Sequence, residues 1–284
     1  MVFAVLILGV DPARAQVNTD SLLGTPTAPG AAVAIGGSAG LSSGNVASVW
    51  WKGETTLAYV TLFPEDEDED EDEEDEDEDE DDDDDDEPPP FLHDRALLYA
   101  SANRASYSGD IVDDSGLAHL RFTRMWVPRF GTEVFAQLQY DRFVDLRERL
   151  LTGAGVRVDA VHEAHAELYG GTGVMFERET LSDGTVNANV RSTSYITVNW
   201  EIVDDHLTLS NTAYLQPRVD LPEDFRFLDE GRLAAKVTGA LSLGTDLSVR
   251  HDSRPPVDVL PTDVRFGSSF QLKWKEKPRA SASD

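Results

Sequence analysis

The sequence predicts an all-β fold, an antiparallel transmembrane β-barrel of about twelve strands over residues 29–274. Three observations predict it. Apolar and polar residues alternate over ten or more positions at a time, the mark of strands with one apolar and one polar face. The alternating segments are about twice the length of an ordinary strand, as in membrane-spanning β-strands. The connections between them are alternately longer and tight, as in outer-membrane barrels.

In chain order, Val2–Val10 is a short apolar stretch, and Ala13-Arg14-Ala15 fits a small-x-small cleavage site with Gln16 as the mature start. Residues 1–15 therefore match a secretory leader, although no Lys or Arg precedes the apolar stretch. A buried N-terminal strand is the alternative reading. Residues 16–28 follow as a periplasmic segment. No later segment reaches the ~18 apolar residues of a spanning helix.

The expected strands lie near 31–42, 46–62, 92–107, 115–127, 132–143, 147–161, 164–179, 188–203, 206–217, 225–241, 244–252 and 262–274. In Glu133–Asp141, Val134, Ala136, Leu138 and Tyr140 share one face and Glu133, Gln137, Gln139 and Asp141 the other, with Phe135 the exception. In Arg191–Ile202, Ile196, Val198, Trp200 and Ile202 oppose Arg191, Thr193, Thr197, Asn199 and Glu201. The longer connections, 42–45, 106–116, 144–148, 181–190, 218–224 and 253–263, all follow odd-numbered strands. Tight turns are expected at Val127–Phe130, Val203–Asp205 and Leu243–Asp246. A soluble β-sandwich also alternates, but strand length, leader and charged second face favour the membrane barrel. Trp126, Tyr140, Trp200 and Trp274 fall towards strand ends on the apolar face, as in interfacial girdles.

Residues 64–90 interrupt the pattern. Every residue from Glu65 to Glu87 is a carboxylate, and these 23 account for most of the net charge of −30. The remainder has 31 acids against 24 bases, a net of −7. Such a run repels itself and buries nothing, so it is expected to be a disordered, solvated insertion. Weak divalent-cation binding along Glu65–Glu87 is the sharper alternative, because carboxylates suit hard cations. The composition gives no basic face for nucleic acid. With no cysteine, neither a disulfide framework nor a thiolate metal site is available.

If the alternation holds, the polar face lines the lumen with Arg121, Glu133, Asp141, Arg147, Arg149, Arg157, Glu167, Glu177, Arg191, Glu201, Arg226, Glu230, Arg232, Arg250, Asp252, Asp263, Arg265 and Lys273. Interdigitated arginines and carboxylates either fill such a lumen or line a narrow pore, and the sequence leaves both open. Gly36-Gly37-Ser38-Ala39-Gly40 matches the pattern of a nucleophile elbow, but an elbow needs strand, turn and helix, whereas a turn and another strand follow here. His162 and His165 are three apart, which puts them on opposite faces of a straight strand. No catalytic residue, metal ligand or cofactor is assigned, and an enzyme is not expected.

Several stretches carry a family resemblance: "GSAGLSSGNVASV" from Gly37, "LQYDRFVDLRERLLTGAGVR" from Leu138, "ERETLSDG" from Glu177, "AYLQPRVD" from Ala213 and "VRHDSRPPVDVLPTDVRFGSSFQLKW" from Val249. By their order and spacing the chain resembles the salt-induced outer-membrane proteins, the family labelled domain of unknown function 481, from about Leu23 to Trp274. The resemblance implies an outer-membrane barrel and no particular activity. The acidic run replaces a short turn of that family, and a tail at 275–284 follows the terminal aromatic. Gly267, Phe270, Leu272 and Trp274 look like the C-terminal signal read by the barrel-assembly machinery. The expected protein is exported to the outer membrane, contacts its lipid, and is a narrow pore or a binder of small charged solutes. A structural barrel with a closed lumen, or an outer-membrane phospholipase-like enzyme, is the alternative.

Overall fold

The computed structural model describes residues 5–8, 29–42, 48–64, 90–204, 206–238, 241–255 and 259–273. They form one antiparallel sheet of β1 (Val5–Leu8), β2 (Gly30–Ser42), β3 (Ser48–Leu62), β4 (Leu92–Tyr107), β5 (Asp110–Val127), β6 (Phe130–Asp141), β7 (Leu146–Glu163), β8 (Ala166–Leu181), β9 (Val186–Val203), β10 (Leu207–Pro217), β11 (Phe225–Lys236), β12 (Leu241–Asp252) and β13 (Thr262–Lys273). From β2 to β13 each strand pairs with its sequence neighbour. These are the twelve long strands of the predicted barrel. β1 pairs with the end of β13, from Val5↔Lys273 to Leu8↔Phe270, and also lies beside β2. Its residues fall within the stretch expected to be a leader. The two ends of the meander thus approach each other through β1, although no ladder joins β1 to β2 among the described residues.

The shortest of the twelve, β10, has 11 residues. At ~3.4 Å per residue and a tilt of about 40° it spans roughly 28 Å, the thickness of a bilayer's hydrocarbon core. The distribution of polarity matches that solvent. On β5, Ala118, Leu120 and Phe122 point outwards, and Leu117, His119, Arg121, Thr123 and Met125 point inwards. Leu120, Val134, Leu138, Val174 and Ile196 are each at least half exposed, whereas Thr123, Glu177 and Thr197 have no exposed surface. In water each outward Leu, Val or Phe forfeits about 1.5–3 kcal/mol of burial, so the sheet is inside out by the standard of a water-soluble fold, apolar outside and ionic inside.

The connections differ from expectation in two ways. At one end, stretches that read as long loops are short. Ser108 and Gly109, both at positive φ (50° and 94°), close a two-residue hairpin, and β5 begins at Asp110. Positive φ at both central positions matches the right-handed strand twist, so this turn replaces the expected loop 106–116. The acidic, Gly-containing sequence after it is strand, with a bulge at the Ala105/Ser106 register shift. Likewise 181–190 shrinks to a turn before Val186, and 144–148 to a 3-10 turn (Arg142–Val144) capped by Asp141. Only 218–224 and 253–261 remain as longer connections at this end, with 43–47 outside the described residues. The second difference is Leu243–Asp246, expected as a turn. It lies inside β12, with Gly244 paired to both Ala234 and Ser269. Gly-Thr-Asp suits a turn locally, but two flanking ladders hold it extended.

At the opposite end, Pro128-Arg129 and Ala164-His165 close two-residue turns. The acidic run also belongs to this end. Its carboxylates lie outside the described residues, but its stems do not. The Phe63 amide donates to the Phe91 carbonyl at 2.9 Å, and Phe63 packs with Leu62 on Val60, Leu92 and Met125.

Candidate functional site

The inward side chains fill the barrel in three layers. Nearest the short turns, Arg157 donates to Asp159 (2.8 Å) and lies 3.8 Å from the centre of the Tyr169 ring. His162 stacks on Phe91 across the mouth, centroids 4.1 Å apart, and stands 3.9 Å from Glu167, which accepts from Asn199 at 3.0 Å.

The middle layer is aromatic and polar. The Tyr195 hydroxyl of β9 donates to Glu133 of β6 at 2.8 Å, reaching past two intervening strands, and Thr123 donates to the same carboxylate at 3.1 Å. Arg121 lies over the Tyr195 ring, Tyr214 packs beside it, and His119 bonds Gln137 at 3.0 Å. The Thr197 and Thr212 hydroxyls bond each other at 3.0 Å. Two glycines make room for the rings. A Cβ at Gly153 would stand 2.5 Å from Phe135, and one at Gly171 would stand 2.5 Å from Tyr195. One cavity in each of these two layers has a volume of about 30 Å³.

The layer towards the longer connections is ionic. Glu177, fully buried on β8, meets Arg226 of β11, Arg191 of β9 (3.2 Å) and Arg149 of β7 (3.9 Å), and accepts from Asn189 (3.2 Å). Glu179 takes Arg149 at 2.9 Å and Arg226 at 3.1 Å. Arg226 also reaches Asp252 (2.9 Å), and Arg191 reaches Asp224 (2.9 Å) and the carbonyls of Gln216 and Asp224. Three arginines and four carboxylates from five strands and one loop thus pair with one another, with Glu177 and Arg191 at the buried centre. Outside the sheet, Arg218 spans Asp224 and Asp220, and its hydrogen bond holds the Asp220 carboxyl below its ordinary range.

Above this layer opens a cavity of about 290 Å³. Arg149, Glu179, Arg226 and Asp252 form its floor, Asp141, Arg250, Asp263 and Arg265 its walls, and the loop after β12 adds Arg254 beside the apolar Pro255, Val259, Leu260 and Pro261.

Of the residues expected in the lumen, Arg121, Glu133, Arg149, Arg157 and Arg191 are buried there, and Asp141, Glu167, Glu177, Arg226, Arg250, Asp252, Asp263 and Arg265 line it as described. Glu201 stands at the short-turn end, 3.3 Å from His165. Glu230 and Arg232 are half-buried on β11, Arg232 lying 3.9 Å from Asp246. Lys273 ends β13, with its side chain outside the described residues. Arg147 is a correction: it is exposed on the outer surface. The register shift between Leu146 and Glu148 inserts a bulge, so strict alternation fails there and Arg149, not Arg147, turns inwards. Sequence reasoning missed Glu179, although it shares the parity of Glu177. It also missed Asp224, which a loop delivers, and His119, Tyr195 and Tyr214, whose faces only the register fixes, whereas Gln137, read on the polar face, is buried inside.

The other motifs take their places plainly. Ser38 lies within β2, opposite Lys52, with no helix after it. His162 and His165 go to different carboxylates, Glu167 and Glu201. His165, Glu201 and Asp204 bring ligand-capable atoms within 4.8 Å of one another at the turn end, a group the sequence reading does not foresee. Gly267 is exposed on β13, the side chains of Phe270 and Leu272 lie outside the described residues, and so does all of Trp274.

A family model described as "Protein of unknown function, DUF481" matches residues 93–274. The chain belongs to this family. The match begins at the start of β4, so the resemblance expected from Leu23 is shown for the ten strands after the acidic run. The family description carries no activity and does not carry the salt-induced label. No curated protein matches the chain. Among solved structures, the chain is similar to the NanC porin, at 8% identity and a TM-score of 0.43, covering 85% of this chain and 99% of that one. It is also similar to the translocator domain of the autotransporter NalP from Neisseria meningitidis, at 10% identity and a TM-score of 0.39, covering 90% and 92%.

Proposed function

We propose that the protein is an outer-membrane β-barrel with a filled lumen, which holds a small charged solute at its outer end instead of conducting. The observation that carries this reading is the sequence of layers. A water molecule needs ~10–15 Å³ of cavity, so pockets of about 30 Å³ hold two or three waters, far less than an aqueous channel. The 290 Å³ cavity, by contrast, approaches the lower bound of small-ligand pockets (roughly 300 Å³) and combines charged and apolar walls as they do. The apolar outer face and spanning strand length support the membrane location. The longer 218–224 and 253–261 connections support an outward cavity. In this reading the protein is not an enzyme, and its partners are outer-membrane lipid, the assembly machinery during biogenesis and weakly held divalent cations along Glu65–Glu87.

Conductance across planar bilayers tests the reading. Purified, heat-modifiable protein should insert without opening steady ion-conducting steps. Steady channels with ohmic conductance would overturn the filled lumen and restore the narrow-pore alternative.

A further inference from the structure

At the short-turn end, neighbouring turns bring three metal-ligating side chains together. His165 comes from the turn between β7 and β8, Glu201 from the end of β9, and Asp204 from the turn that follows it. One ligand-capable atom of each lies within 4.8 Å of the other two. The backbone fixes the first two. The Glu201 amide donates to the His165 carbonyl at 2.8 Å, one step beyond the last pair of the β8–β9 ladder, Ala166↔Trp200. Their side chains then meet with His165 Nδ1 3.3 Å from Glu201 Oε2. Asp204 is exposed, so its carboxylate can change rotamer without disturbing the barrel interior.

We infer that His165, Glu201 and Asp204 bind one divalent ion of the zinc class and so link the β7–β8 turn to the β9–β10 turn. Zinc takes nitrogen and oxygen ligands at about 2.0–2.2 Å, which in a tetrahedron sets neighbouring ligand atoms about 3.4 Å apart. The His165–Glu201 contact, at 3.3 Å, already has that length. Asp204 has at most about 1.4 Å to close, which a rotamer change supplies, and water takes the fourth position. The donors also select the ion. Two carboxylates balance the double positive charge, and an imidazole nitrogen suits zinc, whereas calcium takes about six to eight oxygens and magnesium an octahedron of them. The site thus differs in kind from Glu65–Glu87, whose carboxylates attract any divalent cation by charge. The inference goes beyond the proposed function and holds whether or not the lumen conducts.

Titration calorimetry with zinc chloride on the full-length barrel in detergent tests the inference. The titration is run at about 1 M salt, where screening confines charge effects to about 3 Å and the acidic run contributes little. One zinc should bind per chain, at least about tenfold tighter than calcium under the same conditions. His165→Ala and Glu201→Gln, each checked for heat-modifiable folding, should weaken zinc about tenfold or more, whereas His162→Ala should leave it unchanged. Modification by diethyl pyrocarbonate, mapped by mass spectrometry, reads the site on the unaltered protein and decides alone if a variant does not fold. Zinc should protect His165 and leave His251, at the other end of the barrel, as reactive as before. Zinc binding lost at high salt, calcium bound as tightly as zinc, or His165 modified equally with and without zinc would overturn the inference. None of these results would touch the filled lumen, which conductance tests separately.

Discussion

Glu177 gives the sharpest test that the lumen is dry. Replacing it by Gln keeps its volume and removes its charge from beneath Arg149, Arg191 and Arg226. Removing one partner of a buried ion pair costs about 3–5 kcal/mol, because the remaining charge is left without compensation. Here each arginine retains another carboxylate: Arg149 has Glu179, Arg191 has Asp224, and Arg226 has Glu179 and Asp252. The glutamine oxygen also still accepts one hydrogen bond. The expected cost therefore lies at the lower end, about 3 kcal/mol. Urea unfolding of the barrel refolded into lipid vesicles measures it as a shift in midpoint at unchanged slope. The pair Glu177→Gln with Arg226→Met should cost less than the sum of the two single changes, because both remove the same Glu177–Arg226 contact. A Glu177→Gln loss below about 0.5 kcal/mol would refute the reasoning, since only a solvated cluster tolerates that change so lightly.

Two further outcomes follow from local geometry. Arg149→Ala should cost at least about 2 kcal/mol and Arg147→Ala within about 0.5, since the bulge buries one and exposes the other; equal losses in the same unfolding assay would place the bulge elsewhere. Replacing Glu65–Glu87 by a Gly-Asn turn should leave the heat-modifiability shift and vesicle insertion intact, because the stems are already one 2.9 Å hydrogen bond apart and loop length adds only about 0.6 kcal/mol per doubling. Calcium calorimetry should then lose any weak, salt-sensitive signal, and failure to insert would show that the run helps to build the barrel.

The fold was legible because membrane strands are long and their alternation has a period of two, so β6 and β9 can be assigned to faces residue by residue. Reading failed where that period breaks or local chemistry competes with pairing. One inserted residue at the start of β7 was enough to turn Arg147 outwards, while Arg149, read as its neighbour on the same face, stays inside. Asp110–Ser115 and Gly244–Asp246 carry turn-forming residues, yet pairing with β4 holds the first extended and ladders on both sides hold the second. The ion cluster was half visible. Its arginines and Glu177 follow from parity, but which partners meet depends on barrel curvature, and Asp224 arrives from a loop with no periodicity. The open-or-filled question had no sequence signal, because it turns on whether the rings of Phe135 and Tyr195 settle over Gly153 and Gly171.

The ion cluster also has an order in time. Its arginines and acids enter the chain between Arg149 and Asp252, on β7, β8, β9, β11 and β12 and the loop that carries Asp224, so no sheet that stops short of β12 can complete it. Until β12 has joined, Arg226 lacks Asp252, and the interior remains a solvated, charged trough along a half-built wall. The dry lumen is thus a late event, following the last strands into the sheet. Contacts that form last do little for the rate of assembly and mostly slow its reversal. The cluster works less as a scaffold than as a latch, setting how long the finished barrel stays shut.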